Sequence, residues 1–306
     1  VLPPELTDLT DQITLTPYQA IGIPIALTGA VFLSLGAQLQ HRGVSRVEES
    51  HGDGTKAGLS VQQLLRLLGR PSWVIGTLLL GLAIVFQLVS LGFAPLIVVQ
   101  PLGVVALVIT AILNARVSRI RLEPPAIRAI MMCVGGVGVF VAIAAVYAVE
   151  QEITERQLLT VLGILGVALA AFGVSFALTR RSVGAMFYIV GAGVLFGFVA
   201  TLAKVVINRV LNGNFEWLTV LAIVALLASA ALGSYFVQTA YSVGSPDLVI
   251  AGLTVVDPLV AVLIGVIVLG EAALIPPVFA VVAVAAGAVA VLGVLQLAKH
   301  HPQTVR

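Results

Sequence analysis

Two side chains in the 306-residue sequence carry charge where water is scarce: Asp257, near the middle of the apolar run 248–269, and Lys204, deep in the run 185–210. A charged group at the centre of a bilayer costs about 2.5–3.5 kcal/mol on insertion scales, so it usually faces a bundle interior, a partner or a substrate path. A carboxylate there can accept a proton or hold a cation, and an ammonium can anchor a phosphate or carboxylate. Polar residues three, four or seven positions apart share one face of a helix. Several runs show such a stripe: Ser34, Gln38 and His41; Thr201, Lys204 and Asn208; Ser234 or Tyr235, Gln238 and Tyr241; Thr254 and Asp257. Gln87, Ser90 and Gln100 add polar groups on two further runs. The pattern predicts a polar cavity bounded by the first, second, third, sixth, seventh and eighth spans. The same glutamines could instead join helices through hydrogen bonds that average about 0.6 kcal/mol. Asp257 and Lys204 could also pair with each other.

The elements that must position these groups are set by composition. With 59% hydrophobic and 10% charged residues and a mean hydropathy of +1.12, the chain cannot present a water-facing globular surface. Runs of about 20 apolar residues fall at 18–40, 73–93, 96–115, 126–148, 158–178, 185–210, 217–241, 248–269 and 278–297. They predict an all-α polytopic membrane protein of nine spans. The loops after the first, third and fifth spans and the tail hold Arg42, Arg46, Arg116, Arg119, Arg180, Arg181 and Lys299, whereas Glu5, Asp8, Glu150, Glu216 and Glu271 fall on the opposite side. Basic short loops stay cytoplasmic, so the N-terminus is expected outside and the C-terminus inside. Asp247 and Glu271, at span ends, are read as solvated. The acidic N-terminal segment lacks a basic n-region, so the first span is expected to be retained. The stretch 60–69 is amphipathic and is expected on the cytoplasmic membrane surface. The sole cysteine, Cys133, excludes an intrachain disulfide.

The chain also repeats itself. Gly81 and Gly233, Gly92 and Gly244, Pro124 and Pro276, Pro125 and Pro277, and Gly135 and Gly287 are all separated by the same 152 residues. The implied organisation is an extracytoplasmic segment 1–17, a first half 18–149 of four spans with a cytoplasmic loop 42–72, a linking span 150–182, a second half 183–298 of four spans, and a tail 299–306. A shift of five spans reverses each helix relative to its counterpart and gives an inverted repeat, the architecture of alternating-access transporters with a site near the midplane. Pro101 and Pro258, inside spans, are candidate hinges. The fifth and ninth spans, almost purely Val, Leu, Ala and Gly, suit lipid-facing or dimer-packing positions.

The segment from Gly92 to Gly103, GFAPLIVVQPLG, followed by Ile109-Thr110-Ala111-Ile112-Leu113, resembles a hairpin of the NIPA-like magnesium transporters, within the drug/metabolite transporter superfamily. Gln40-His41-Arg42-Gly43 and Lys204 in a small-residue helix extend the likeness over nearly the whole chain. Asp257-Pro258-Leu259-Val260-Ala261, leading to Leu269-Gly270-Glu271, resembles the EamA branch of that superfamily. The resemblance implies the inverted-repeat bundle and a homodimer. One departure stands out: Ile84 lies ahead of Gln87 where the magnesium-transporting family is expected to carry an acid.

These residues lead to the expectation of a transporter for a small anionic or zwitterionic organic solute or lipid headgroup, in the plasma membrane of a bacterium. Lys204 would be the anchor and Asp257 the proton-coupling group, with Gln38, Gln87, Gln100, Thr201, Tyr235, Gln238, Tyr241 and Thr254 lining the path. Mg2+ transport is the alternative, disfavoured here because Lys204 would repel a divalent cation. A non-transporting subunit or lipid-handling scaffold is the third reading. No HExxH, GxSxG or Walker A pattern and no nucleic-acid motif occurs, so neither an enzyme nor a nucleic-acid partner is expected. No cofactor or metal-ligand set is expected either, and membrane lipids are the expected surroundings. Correctly inserted Lys204→Ala and Asp257→Asn variants should both lose transport of the cargo; normal transport by both would overturn this assignment.

Overall fold

The computed structural model describes residues 17–49, 69–117, 123–150, 152–179, 184–243 and 246–299. Among them are ten helices and no strand: α1 (Pro17–Glu49), α2 (Pro71–Phe93), α3 (Leu96–Leu102), α4 (Val104–Val117), α5 (Pro124–Tyr147), α6 (Glu155–Thr179), α7 (Ala185–Leu211), α8 (Trp217–Val243), α9 (Pro246–Ile267) and α10 (Pro277–Lys299). With α3 and α4 counted as one interrupted span, nine are long and apolar enough to cross a membrane among the described residues. The starts of α2, α5 and α10 follow from proline. Pro71, Pro124 and Pro277 occupy first helical positions, where the missing N–H would have had no intrahelical acceptor anyway. The segment 1–16, the amphipathic stretch 60–68 and the tail histidines His300 and His301 lie outside the described residues.

The two intramembrane prolines behave differently. Pro101 ends the seven-residue α3, and the chain passes through Gly103 before α4 resumes. Pro258 lies inside α9, which runs through it unbroken. The third span is therefore two half-helices, with α3 buried along nearly its whole length.

Helix pairing follows one scheme in both parts of the chain. α1 packs on α2 as α7 packs on α8, and α1 meets α4 as α7 meets α9. α5 packs along α10 and α3 against α9, joining the two sets. This is consistent with an inverted repeat. α6 stands outside the scheme, against α7 and α8. α10 packs one face on α5 and leaves Val278, Val281, Val284 and Leu292 exposed on the other.

Lipid tails are as apolar as leucine, so helices in a bilayer are held by close contact and interhelical hydrogen bonds. Small residues therefore decide where backbones meet. A Cβ on Gly76 would stand 2.7 Å from Gln40 N and 2.8 Å from Gly36 O, and one on Gly136 would stand 2.6 Å from Ala286 O. On the other side of the α5–α10 contact, a Cβ on Gly293 would lie 2.6 Å from Cys133 N, which places the buried thiol in the helix seam. The glycines of α5 and α6 divide accordingly. Gly136 is in contact, whereas Gly135, Gly138, Gly163 and Gly166 have nothing within 4 Å of such a Cβ. Gly136→Ala is therefore expected to lower the melting temperature in detergent, because a clash of about 1–3 kcal/mol outweighs the gain of about 1 kcal/mol in helix propensity. Gly135→Ala should leave the melting temperature unchanged or raise it. Equal behaviour of the two variants in thermal melts would contradict this packing.

Candidate functional site

A cavity of about 450 Å³ lies between the helices, within the size range of small-ligand sites. Its walls come from α1 (Gly29, Leu33), α2 (Ile84, Gln87), the α3–α4 break (Gln100, Gly103), α7 (Phe196, Ala200) and α9 (Thr254, Asp257, Pro258). The lining is mostly aliphatic, and Asp257 is its only charged member among the described residues. Asp257 is held by the packing of α9 on α7. A Cβ on Gly193 would stand 2.6 Å from the Val256 side chain, and one on Gly197 would stand 3.0 Å from Asp257 O. With no side chain at either glycine, α9 lies directly on α7 at the level of the carboxylate. Asp257 Oδ1 is buried and has no hydrogen-bond partner. One helical turn earlier, the Thr254 hydroxyl donates to Ile250 O at 2.7 Å.

The expected lining residues do not all arrive here. Gln87, Gln100, Thr254 and Asp257 do. Gln38 is half-buried and donates to Asn114 Oδ1, joining α1 to α4. Thr201 is fully buried, with its hydroxyl donating to Gly197 O at 2.9 Å. The largest correction concerns α8. Tyr235, Gln238 and Tyr241 share a face, as their spacing predicts, but that face is exposed and turned away from the cavity. The seventh span is therefore not a wall of the site. Helical periodicity places residues together on a face without saying which way the face points. His41 has no described side chain, and Pro101 sits at the α3 break behind Gln100.

Lys204 is 3% exposed and lies outside the cavity lining. Its Nζ donates to Ala94 O at 2.7 Å and to Glu150 Oε1 at 2.5 Å. Of the partners open to it, Lys204 pairs with Glu150, 54 residues away in the chain, and not with Asp257. Ala94 O is available because α2 ends at Phe93 and the chain turns there into α3.

The reading of Glu271 as a solvated span end is also overturned, since it is 4% exposed. Oε1 accepts from Leu96 N and Oε2 from Ile97 N, each at 2.8 Å. α3 begins after Pro95, which offers no side-chain cap, so a carboxylate from the other end of the chain satisfies its first two amides. Two glycines permit this. Gly270, at φ +73°, turns the chain back after α9, and a Cβ on Gly265 would stand 2.8 Å from Glu271 Oε2. Burial pushes the Glu271 carboxyl above the usual range, while Lys204 and the two amides pull it down and Glu150 pushes it up. The same end of the bundle is tied by Gln157 Nε2, which donates to Val268 O and Leu269 O at 3.1 and 3.4 Å. Arg209, also buried there, donates to Thr219 Oγ1 at 2.8 Å and meets Glu216 at 3.3 Å.

Sequence reasoning missed Glu150 and Glu271. The signal that could have found Glu271 is the Leu269-Gly270-Glu271 pattern together with Gly265. Removing one partner of a buried ion pair leaves the other uncompensated and typically costs about 3–5 kcal/mol. Lys204→Met, which strands Glu150 and Glu271 together, is expected to be strongly destabilised in thermal melts. Glu150→Gln should cost less, because a third of that side chain is exposed. The double variant Lys204→Met/Glu150→Gln should recover part of the loss, and additive losses would contradict the coupling.

Comparison with known proteins agrees with this architecture. The family model described as magnesium transporter NIPA matches residues 18–234. An uncharacterized protein of Corynebacterium glutamicum is 27% identical over 82% of this chain and 85% of its own length. An Arabidopsis thaliana protein described as a probable magnesium transporter, NIPA4, is 29% identical over 38% of this chain and 32% of its own length. No solved structure matches the chain. The extent of the family match, together with nine membrane-length helices among the described residues, identifies the chain as a member of the NIPA magnesium transporter family, an integral membrane transporter.

Proposed function

We propose that the protein carries a divalent cation, Mg2+ in keeping with its family, across the plasma membrane of a bacterium by alternating access. The observation that carries this reading is the charge of the cavity: among the described residues Asp257 is its only ionisable wall residue, and a carboxylate oxygen there has no partner. Mg2+ dehydrates reluctantly and keeps several waters, and it binds through one or two carboxylates. Six waters at about 30 Å³ each occupy roughly 180 Å³, so a cavity of about 450 Å³ accommodates a hydrated ion. Asp257 supplies the carboxylate, and the side-chain amides of Gln87 and Gln100 supply oxygens for the ion's waters. No cluster of three acidic, histidine or cysteine side chains occurs among the described residues, which suits an ion that travels hydrated.

The organic-anion reading loses its anchor, because the Lys204 ammonium is engaged by Glu150 and Ala94 O outside the cavity. The objection that Lys204 would repel a divalent cation weakens for the same reason.

A ligand that binds only the folded state raises its apparent stability. Mg2+ should raise the melting temperature of the purified protein and enter proteoliposomes reconstituted with it. Asp257→Asn should lose both responses while melting no lower than wild type without the ion, since it removes a buried unpaired charge. Retention of Mg2+ stabilisation and uptake in Asp257→Asn would overturn the proposal. A shift with a phosphorylated organic compound that disappears in Lys204→Ala would return the organic-solute reading.

A further inference from the structure

Glu271 has no place in the cation site, yet it is among the most buried polar side chains and spans the two ends of the chain. It belongs to the loop between α9 and α10, and both its oxygens are committed to the first amides of α3. Its backbone is fixed as well, with Glu271 N donating to Gly265 O and Val149 N donating to Glu271 O, each at 3.0 Å. Apart from the packing of its buried side chains, α3 has little of its own to keep it helical. It has seven residues, a proline before it and a proline within it, and so short a helix cannot persist on its own internal bonds. The same half-helix brings Gln100 to the cavity.

We propose that Glu271 is a proton-operated latch of the transport cycle: as a carboxylate it holds α3, and with it Gln100, in the cavity wall, and on accepting a proton it releases them. A carboxylate accepts from both amides. A neutral carboxyl carries hydrogen on one oxygen, which makes that oxygen a weaker, uncharged acceptor, so the hold on at least one amide loosens. The charged groups that bear on Glu271 are Lys204 on α7 and Glu150 after α5. Glu150, a third exposed, connects the cluster to water. Burial dominates the balance, so Glu271 takes up its proton at a higher pH than a surface glutamate would. The latch is closed above that pH and open below it.

What release does to the cargo rests on the cation reading, whereas the latch itself does not. The experiment is amide hydrogen exchange on the full-length protein at about pH 5 and about pH 8, corrected for intrinsic rates. The peptide carrying residues 96–99 is compared with a reference peptide from α5, and Mg2+ stabilisation is measured on the same samples. In wild type the α3 amides should exchange about tenfold faster at the lower pH while α5 does not change. Glu271→Gln, fixed in the neutral state, should exchange fast at both values, and its apparent Mg2+ affinity at about pH 8 should fall about tenfold. Asp257→Asn should keep the wild-type exchange pattern. Equal α3 protection at both pH values in wild type, or pH-dependent α3 exchange that survives in Glu271→Gln, would overturn the latch. Faster α3 exchange with unchanged Mg2+ affinity would overturn its role in transport. If Glu271→Gln does not fold, the wild-type and Asp257→Asn comparisons decide. If wild type binds no Mg2+ at either pH, the cation reading falls and exchange alone decides the latch.

Discussion

Where a helix begins in the interior of a membrane protein, its first amides have no water to turn to and must find an acceptor in the protein. The rest of this structure depends on how that requirement is met at Leu96 and Ile97. The acceptor is a carboxylate, and a buried carboxylate brings a requirement of its own. Lys204 stands near enough to offset its charge. Lys204 is then satisfied by Glu150 and by a carbonyl freed at the end of α2. Each polar group exists because of the one before it, and the sequence ends only at Glu150, which reaches solvent. Gly265 and Gly270 belong to the same solution, since one leaves room for the carboxylate and the other lets the chain double back to deliver it.

Satisfying these charges among themselves separates them from the cavity. If Lys204 lay beside Asp257, the two would neutralise each other and the site would present no net charge. With Lys204 engaged elsewhere, the cavity keeps a single negative group among its described wall residues, which are otherwise uncharged. α7 makes both arrangements possible. Its Gly193 and Gly197 admit α9 at the level of Asp257, and two turns onward the same helix delivers Lys204 to the acidic end.

Much of the fold was legible in the sequence because a bilayer imposes length. Nine apolar runs became nine spans, and Pro101 marked the span that breaks. Thr254 and Asp257 were legible as cavity residues because helical spacing groups them, and Gln87 and Gln100 because they are polar groups inside apolar runs. The same spacing failed for Tyr235, Gln238 and Tyr241, since the orientation of α8 is set by its packing on α7 and not by its own sequence. It failed for Gln38 because the partner amide of Asn114 lies on another helix. Glu150 and Glu271 were illegible for a different reason. A charged residue at a span end is ordinarily solvated, and only the turn at Gly270 and the gap at Gly265 put Glu271 indoors. The contact-making glycines were likewise hidden, because Gly135 and Gly136 differ only in which neighbour faces them.

The seam between α7 and α9 has a mechanical consequence. Val256 and Val260 fill the space that Gly193 and Gly197 leave vacant, so α9 cannot slide or roll on α7 without first lifting away. The two helices form one stiff member, carrying Asp257 and Lys204 together. Glu150 is mounted on another, at the end of α5, which is backed along its length by α10. The Lys204–Glu150 bridge is thus a rivet across the joint between two girders, and any relative rocking of the members puts its load there first.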